Sequence, residues 1–82
     1  MSDWFVYMLR CADASLYTGI TTDLARRLTE HNTGAAGARY TRARRPVTLV
    51  YQERLPNRSA AAKREQALRR LGKAEKERLA GG

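Results

Sequence analysis

The chain has 82 residues, of which 16 are Lys or Arg and 8 are Asp or Glu, so its formal charge is +8. A chain of this length can build only one small core, and we therefore expect a single domain over residues 1–82. The excess positive charge favours a polyanionic partner. Composition alone leaves nucleic acid, an anionic membrane surface and an acidic protein as candidates.

Cysteine content and hydropathy indicate the cellular compartment. The single cysteine, Cys11, cannot form an intramolecular disulfide, and one Cys with one His cannot complete a four-ligand zinc site. The apolar run over residues 4–9 is too short for a signal-peptide core, and no later run is long enough to span a membrane. We therefore expect a cytoplasmic protein with no structural metal and no membrane contact.

The first part of the chain predicts a β-hairpin. Residues 4–9 form an unbroken apolar, aromatic and β-branched run, which indicates a strand buried on both faces, and residues 16–21 resume a strand pattern. A loop with an odd number of residues would place Tyr7 and Tyr17 on one face of the sheet. Each tyrosine taken singly is typical of a core residue that hydrogen-bonds. Gly19 could relieve strain or let a helix or a ligand approach the backbone of the strand.

A helix is predicted after the hairpin. Thr22 or Asp23 can cap its N-terminus, it runs to about Asn32, and Gly34 is a stop signal just beyond it. Residues 34–46 are basic and have no clear period, which predicts an irregular surface loop.

The second half of the chain predicts one strand and two helical segments. Residues 47–54 have the β propensity of a third strand, and residues 60–71 are rich in helix formers, with Asn57 or Ser59 as the cap. Gly72 interrupts this helix.

A last helical segment covers residues 73–79, and only the terminal Gly81 and Gly82 are expected to be disordered. The predicted fold class is therefore α/β: a small three-stranded antiparallel sheet flanked by helices in the order ββαβαα.

Two charged positions border the apolar faces of the predicted helices. At about 100° per residue, Arg27 and His31 flank the apolar stripe of the first helix, whereas Arg26 points into water. Arg27 could hold a phosphate, or it could extend its stem over the core while His31 packs as a neutral side chain. Glu65 borders the stripe of the later helix, so its carboxylate needs a cation. That cation is either a divalent metal or one of the basic neighbours Lys63, Arg64 and Arg69.

Four motifs spread over most of the chain carry a family resemblance. They are Phe5-Val6-Tyr7, Tyr17-Thr18-Gly19, Asp23-Leu24-x-x-Arg27-Leu28-x-x-His31 and Arg64-Glu65. This constellation resembles the GIY-YIG nuclease family, and within it the small stand-alone bacterial (YhbQ-like) members. The chain departs from the family pattern at Phe5, Val6 and Thr18, and no residue after Leu71 matches a late Asn that some members use.

The resemblance implies a metal-dependent endonuclease that hydrolyses DNA phosphodiester bonds with low sequence specificity, in DNA repair or processing. Glu65 would bind one Mg²⁺ or Mn²⁺, and Arg27 would stabilise charge on the phosphate in the transition state. Tyr7 or Tyr17 would deprotonate the attacking water. His31 would hydrogen-bond a tyrosine or a phosphate.

The expected partner is DNA, with branched and damaged forms and the oligomeric state left open. Six basic residues are expected to hold its phosphate backbone: Arg39, Arg42, Arg44, Arg45, Arg58 and Lys63. The sequence shows no evident platform for stacking bases. Two other functions compete: a nucleic-acid-binding module of the same fold with little or no turnover, and an interaction protein whose basic surface docks an acidic partner or RNA.

Overall fold

The structure is a computed structural model that describes residues 3–34 and 38–81. Seven elements follow in chain order: β1 (Trp4–Arg10), β2 (Leu16–Thr21), α1 (Leu24–Thr33), α2 (Arg39–Arg42), β3 (Thr48–Leu55), α3 (Arg58–Arg69) and α4 (Lys73–Gly81). The three-stranded antiparallel sheet and the predicted order ββαβαα are confirmed, with α2 added between α1 and β3. No helix in these described ranges is long and apolar enough to cross a bilayer.

Two local predictions were wrong. The basic segment before Pro46 was predicted to be irregular, but it contains the short helix α2, while residues 35–37 of that segment lie outside the described residues. A single turn of helix is too short to show a hydrophobic period in the sequence. The turn is stabilised by Thr41, whose backbone N–H and hydroxyl both donate to the carbonyl of Ala38. Gly81 was predicted to be disordered but ends α4, and Gly82 lies outside the described residues.

The strand β1 is central in the sheet, in the order β2-β1-β3. The hairpin loop between Arg10 and Leu16 holds the odd number of residues, 11–15, that the shared face requires. Tyr7 therefore pairs with Gly19, and Leu9 pairs with Tyr17. Because directly paired residues point to the same side of a sheet, both tyrosines lie on one face, as predicted.

This first face of the sheet is covered by α1. Tyr7 and Leu9 pack with Cys11 and Val47 in one buried cluster. The partly buried side chains around this cluster are Tyr17, Leu24, Leu28 and Leu49. Leu24 and Leu28 belong to α1 at the i, i+4 spacing of a single helix face, so the apolar stripe of α1 is what fixes this helix against the sheet.

The opposite face of the sheet is covered by α3. The side chains of Val6 and Met8 point to the face of β1 opposite to that of Tyr7, and both are fully buried. Glu53 pairs with Val6 in the sheet register, and its carboxylate accepts a hydrogen bond from Nε of Arg64 at 2.9 Å. Since Arg64 lies in α3, this bond places the helix on the second face, which makes β1 a strand buried on both sides, as its sequence predicts.

Gly19 is required by the close approach of a neighbouring side chain. A Cβ built at this position would lie 2.5 Å from Oη of Tyr7 and 2.7 Å from its Cζ, closer than real Cβ atoms approach other heavy atoms. The glycine therefore leaves the space in which the Tyr7 ring crosses β2, so the group that approaches this strand is a side chain of the neighbouring strand and not the helix or ligand that the sequence suggested.

Candidate active site

The centre of the candidate site is a buried hydrogen bond between β1 and α1. Oη of Tyr7 lies 2.8 Å from Nε2 of His31, and both side chains are almost completely buried. Nδ1 of His31 lies 2.7 Å from Oγ1 of Thr41, whose hydroxyl donates to the carbonyl of Ala38 at 2.9 Å. Because a threonine hydroxyl has one proton, His31 must carry its own proton on Nδ1. Nε2 is therefore the acceptor, and the Tyr7 hydroxyl donates to it.

Burial keeps this pair uncharged. Burial, and to a smaller extent the neighbouring charge of Arg27, lowers the pKa of His31 to about 4. Burial also raises the pKa of Tyr7 to about 12, against an opposing hydrogen bond from Arg27. At neutral pH the proton thus resides on the phenol, which donates it in a hydrogen bond to the unprotonated Nε2 of His31.

The two adjacent arginines of α1 have the different environments that the helical wheel predicts. The side chain of Arg26 is 76 % exposed, whereas that of Arg27 is 26 % exposed. Arg27 hydrogen-bonds the phenol of Tyr7 and also donates to Glu30 at 2.9 Å. Arg26 reaches the same Glu30 carboxylate at 3.2 Å. Of these two arginines, Arg27 is therefore the one whose guanidinium contacts the phenol of Tyr7.

The second tyrosine completes an aromatic wall around the imidazole. The ring centroid of Tyr17 lies 5.2 Å from that of His31 and 6.5 Å from that of Tyr7. Its other neighbour is Tyr40 of α2, whose ring stacks on it at 5.9 Å. Four of the five predicted catalytic side chains, those of Tyr7, Tyr17, Arg27 and His31, therefore meet on the α1 side of the sheet.

The fifth predicted residue, Glu65, comes from α3. Its side chain is 19 % exposed, and its carboxylate accepts a hydrogen bond from Nη2 of Arg69 at 3.1 Å. Arg69 is one of the three basic neighbours that the sequence offered as a partner. The same Nη2 donates to the carbonyl of Thr18 on the outer strand β2, also at 3.1 Å. The charge of Glu65 is among the influences that raise the pKa of Tyr7. The carboxylate thus lies at the β2 edge, within electrostatic range of the phenol, although α3 covers the other face.

The donor set at Glu65 suits one kind of metal ion. Within residues 3–34 and 38–81, no three His, Cys, Asp or Glu side chains come together as a ready-made metal cluster. A single carboxylate fits Mg²⁺ or Mn²⁺, because a hard ion of this kind retains several waters and takes phosphate oxygens from its substrate. A soft metal ion that takes all of its ligands from protein side chains does not fit this single carboxylate.

The predicted nucleic-acid-binding residues occupy three different environments. Arg39 and Arg42 are exposed on α2, close to Thr41, and Arg44 lies over the ring of Tyr40 with its Cζ 3.9 Å from the centroid. The guanidinium of Arg45 instead donates to three carbonyl oxygens at the C-terminal end of α1. These belong to His31 at 2.5 Å, Gly34 at 2.6 Å and Glu30 at 3.3 Å.

The other two predicted binding residues lie on α3. Arg58 stands over the ring of Trp4 at 5.8 Å, and Lys63 is exposed. Arg58 is therefore placed beside the start of β1 and away from the phenols. Of the six residues, Arg39 and Arg42 belong to α2, which also carries Thr41 and Tyr40, Arg44 covers the Tyr40 ring, and Arg45 bonds the carbonyl of His31.

Two residues of the site had no signal in the sequence. Thr41, which fixes the tautomer of His31, and Tyr40, which stacks on Tyr17, both lie in the segment that was predicted to be irregular. Only a helix prediction for residues 39–42 would have drawn attention to them.

Comparison with known proteins defines the class to which this site belongs. Residues 3–78 match the GIY-YIG catalytic domain, so the chain belongs to the GIY-YIG family, a nuclease superfamily. The resemblance carried by the four sequence motifs is thereby confirmed, and a nucleic-acid substrate is implied.

Its relatives are small UPF0213 proteins of bacteria and archaea. The chain is 60 % identical over 76 residues to one from Desulfotalea psychrophila, covering 93 % of this chain and 69 % of the relative. It is 53 % identical to one from Natronomonas pharaonis, covering 95 % and 91 %. The NMR structure of an E. faecalis protein is similar, with a TM-score of 0.64 at 42 % identity over 95 % of this chain and 82 % of that one.

The buried environment of His31 predicts an unusual titration. As the chain has one histidine, its imidazole resonances can be followed by NMR without overlap from others. We expect a midpoint near pH 4 instead of the ordinary 6.5. The unfolded chain binds the proton of His31 more readily than the folded chain does. The contribution of neutral His31 to the free energy of unfolding is therefore fully present above pH 6.5 and is lost as pH falls toward 4. A midpoint at pH 6 or above would contradict the buried neutral pair.

Proposed function

We propose that this chain is a divalent-metal-dependent endonuclease that hydrolyses DNA phosphodiester bonds with low sequence specificity. The observation that carries the proposal is the buried bond from Tyr7 to His31, with Arg27 donating to the same phenol oxygen. A purely structural tyrosine needs one hydrogen-bond partner. This one has both a proton acceptor and a cation beside its oxygen, in a chain of a nuclease family.

The Tyr7 phenol offers a route for the proton of the attacking water. As water attacks phosphorus, its proton passes to the phenol oxygen while the phenol proton passes to Nε2 of His31. The 2.8 Å separation is within range for such a transfer. Between the two tyrosines that the sequence left open, Tyr7 is the better candidate because His31 accepts directly from it. Thr41 supports the step by holding the proton of His31 on Nδ1.

The guanidinium of Arg27 supplies positive charge where the reaction develops negative charge. Hydrolysis adds charge to the non-bridging phosphate oxygens, and a fixed, partly desolvated cation stabilises them better than a mobile one in water. Arg27 is held by Tyr7 on one side and by Glu30 on the other, so its position is largely set before substrate binds.

Glu65 would hold the divalent ion, together with water and a phosphate oxygen of the substrate. Such an ion would supply positive charge beside the phosphate and would offset the effect of the carboxylate on Tyr7. The bond from Arg69 uses Oε2 of Glu65, and the side chain of Arg69 is 56 % exposed, so Arg69 can move into solvent when the ion binds.

Recognition of the phosphate backbone suits a role in DNA repair or processing. Arg39 and Arg42 are exposed beside the site and can contact phosphates without reading bases. The buried free thiol of Cys11 is compatible with the cytoplasm.

One observation favours the alternative of a binding module without turnover. Glu65 already has a cationic partner in Arg69, so the carboxylate is satisfied without any metal. A module of this kind would bind DNA in the same orientation but would not cleave it, so the two functions differ in their response to metal ions.

A nicking assay on supercoiled DNA separates these functions. We expect the wild type to nick only when Mg²⁺ or Mn²⁺ is present, and Glu65→Ala to lose at least about 100-fold of that rate, roughly 2.7 kcal/mol. Glu75→Ala, which removes an exposed carboxylate of α4, is the matched control and should retain the wild-type rate. DNA binding without cleavage over a broad range of metal, salt and pH would favour the module.

The adjacent arginines of α1 provide a second test. Arg27→Ala should lower kcat/KM for nicking by tenfold or more, about 1.4 kcal/mol or more of transition-state stabilisation, while Arg26→Ala should change it less than about twofold. Because both arginines bond to Glu30, each variant loses a contact to the same carboxylate. Equal effects of the two substitutions would point to a basic docking surface instead.

A further inference from the structure

The guanidinium of Arg69 makes one contact more than an ion pair with Glu65 requires. Its Nη2 donates to Oε2 of Glu65 and to the carbonyl oxygen of Thr18, each at 3.1 Å. An ion pair between residues four apart in one helix needs only the first of these bonds. The second reaches the outer strand β2, so one cationic nitrogen lies between two oxygens that belong to different elements of the fold.

These two oxygens are of the kinds that a hard divalent ion binds. Mg²⁺ and Mn²⁺ take carboxylate and carbonyl oxygens as ligands, and Mg²⁺ retains several of its waters. An ion bound directly by Glu65 could thus contact the Thr18 carbonyl through one of these waters, which would donate in place of the N–H of Arg69. Arg69 therefore occupies a position that offers the same two oxygens to a hydrated metal ion.

The environment of Glu65 requires a cation at this position. The side chain is 19 % exposed, and a carboxylate that is largely withdrawn from water needs a positive partner. In the described part of the chain, Arg69 is the residue that forms an ion pair with it. Before any metal binds, the chain itself thus supplies the positive charge.

Arg69 can leave this position without a change in the fold. Both bonds come from the terminal Nη2 of one long side chain, which is 56 % exposed. Arg69 also lines a cavity at the outer edge of β2, so there is open space beside its guanidinium. Rotation of this side chain frees both oxygens while the backbones of α3 and β2 stay in place.

We propose that Arg69 is an internal competitor for the divalent ion, which displaces the guanidinium from Glu65 and from the Thr18 carbonyl when it binds. The inference rests on the proposed function for the presence of the ion. It adds the carbonyl of Thr18 as a second contact and gives the Glu65–Arg69 pair a role, as the resting state of a metal site.

Competition and simple positioning predict opposite effects of removing Arg69. If the guanidinium only held the Glu65 carboxylate in place, its loss would leave the carboxylate mobile and would weaken metal binding. If the guanidinium competes with the ion, its loss removes both an occupant and a repelling charge, so metal binding becomes tighter. The sign of the change in affinity therefore separates the two roles.

Mn²⁺ binding followed by electron paramagnetic resonance measures this sign without DNA or turnover. We expect Arg69→Ala to bind Mn²⁺ about three- to tenfold tighter than the wild type, because an ion pair no longer has to be broken. Arg69→Met keeps an unbranched stem without the charge and should show the same gain. Glu65→Ala should lose the site.

The matched control is Arg70→Ala. It removes the exposed arginine that follows Arg69, at the C-terminal cap of α3, and so changes the net charge by the same amount. We expect it to change Mn²⁺ affinity by less than about twofold. An equal gain in Arg70→Ala and Arg69→Ala would reduce the effect to net charge and would overturn the competition.

NMR of the arginine side chains provides the reciprocal observation. In the wild type, addition of diamagnetic Mg²⁺ should release Nη2 of Arg69 from its two acceptors, so that its N–H groups gain free rotation. Arg44, which donates to Asp13 and to the carbonyl of Tyr40, serves as the internal reference and should keep its signals. An Arg69 that stays bonded in the metal-loaded protein would contradict the displacement.

The outcomes distinguish this inference from the proposed function. Unchanged or weaker Mn²⁺ binding by Arg69→Ala and Arg69→Met would overturn the competition even if the wild type nicks DNA. Tighter binding by both variants, with loss of the site in Glu65→Ala, would support the competition even if no nicking were detected, and only the nuclease function would then fail. Absence of Mn²⁺ binding in all of these proteins would overturn both.

Discussion

The hydrogen bond between Tyr7 and His31 is the interaction on which the rest of this structure depends. It joins the central strand to α1 inside the core, and it exists only because Gly19 leaves room for the phenol to cross the outer strand. Any side chain at Gly19 would push the Tyr7 ring away from the imidazole. The glycine of the second motif is therefore a packing requirement of the tyrosine of the first, which explains physically why the two motifs occur together.

The same bond sets the electrostatics of the site. Both partners are buried, so the fold favours their neutral forms, and the phenol keeps its proton while donating it in a hydrogen bond to the imidazole nitrogen. Such a pair is stable at rest, because separating the charge inside the core would be costly. In the proposed reaction, proton transfer would become favourable only when a negatively charged phosphate with its counterion binds at this position. The guanidinium of Arg27 would then meet that charge.

Much of the fold could be predicted because its signals are periodic. The unbroken apolar run of β1 and the odd hairpin loop follow from side-chain spacing, and the structure has both. Each of the first two long helices had two cap candidates in the sequence, and the structure uses Asp23 and Asn57. The contrast between Arg26 and Arg27 follows from one helical wheel. These features depend on neighbours a few residues away, which a single sequence contains.

The missing parts of the site depend on distant contacts. Thr41 and Tyr40 matter because α2 folds back against His31 and Tyr17, and a single turn of helix has no periodicity that would show this. That Arg45 binds nucleic acid stays a prediction, and the sequence did not show that its donors serve the C-terminal carbonyls of α1. Charge can be counted from the sequence, whereas the partner of each charge is decided by the tertiary fold.

The most direct test of the account is the nicking rate of Tyr7→Phe, which removes one buried oxygen and keeps the ring that fills the core. Tyr51→Phe is the matched control, because it removes the same atom from a tyrosine bonded to Glu53 on the other face of the sheet. We predict that Tyr7→Phe loses at least about 100-fold in kcat, as expected for an acid-base residue, with DNA affinity unchanged, and that Tyr51→Phe keeps its rate. A Tyr7→Phe protein that nicks as fast as the wild type would contradict the central claim.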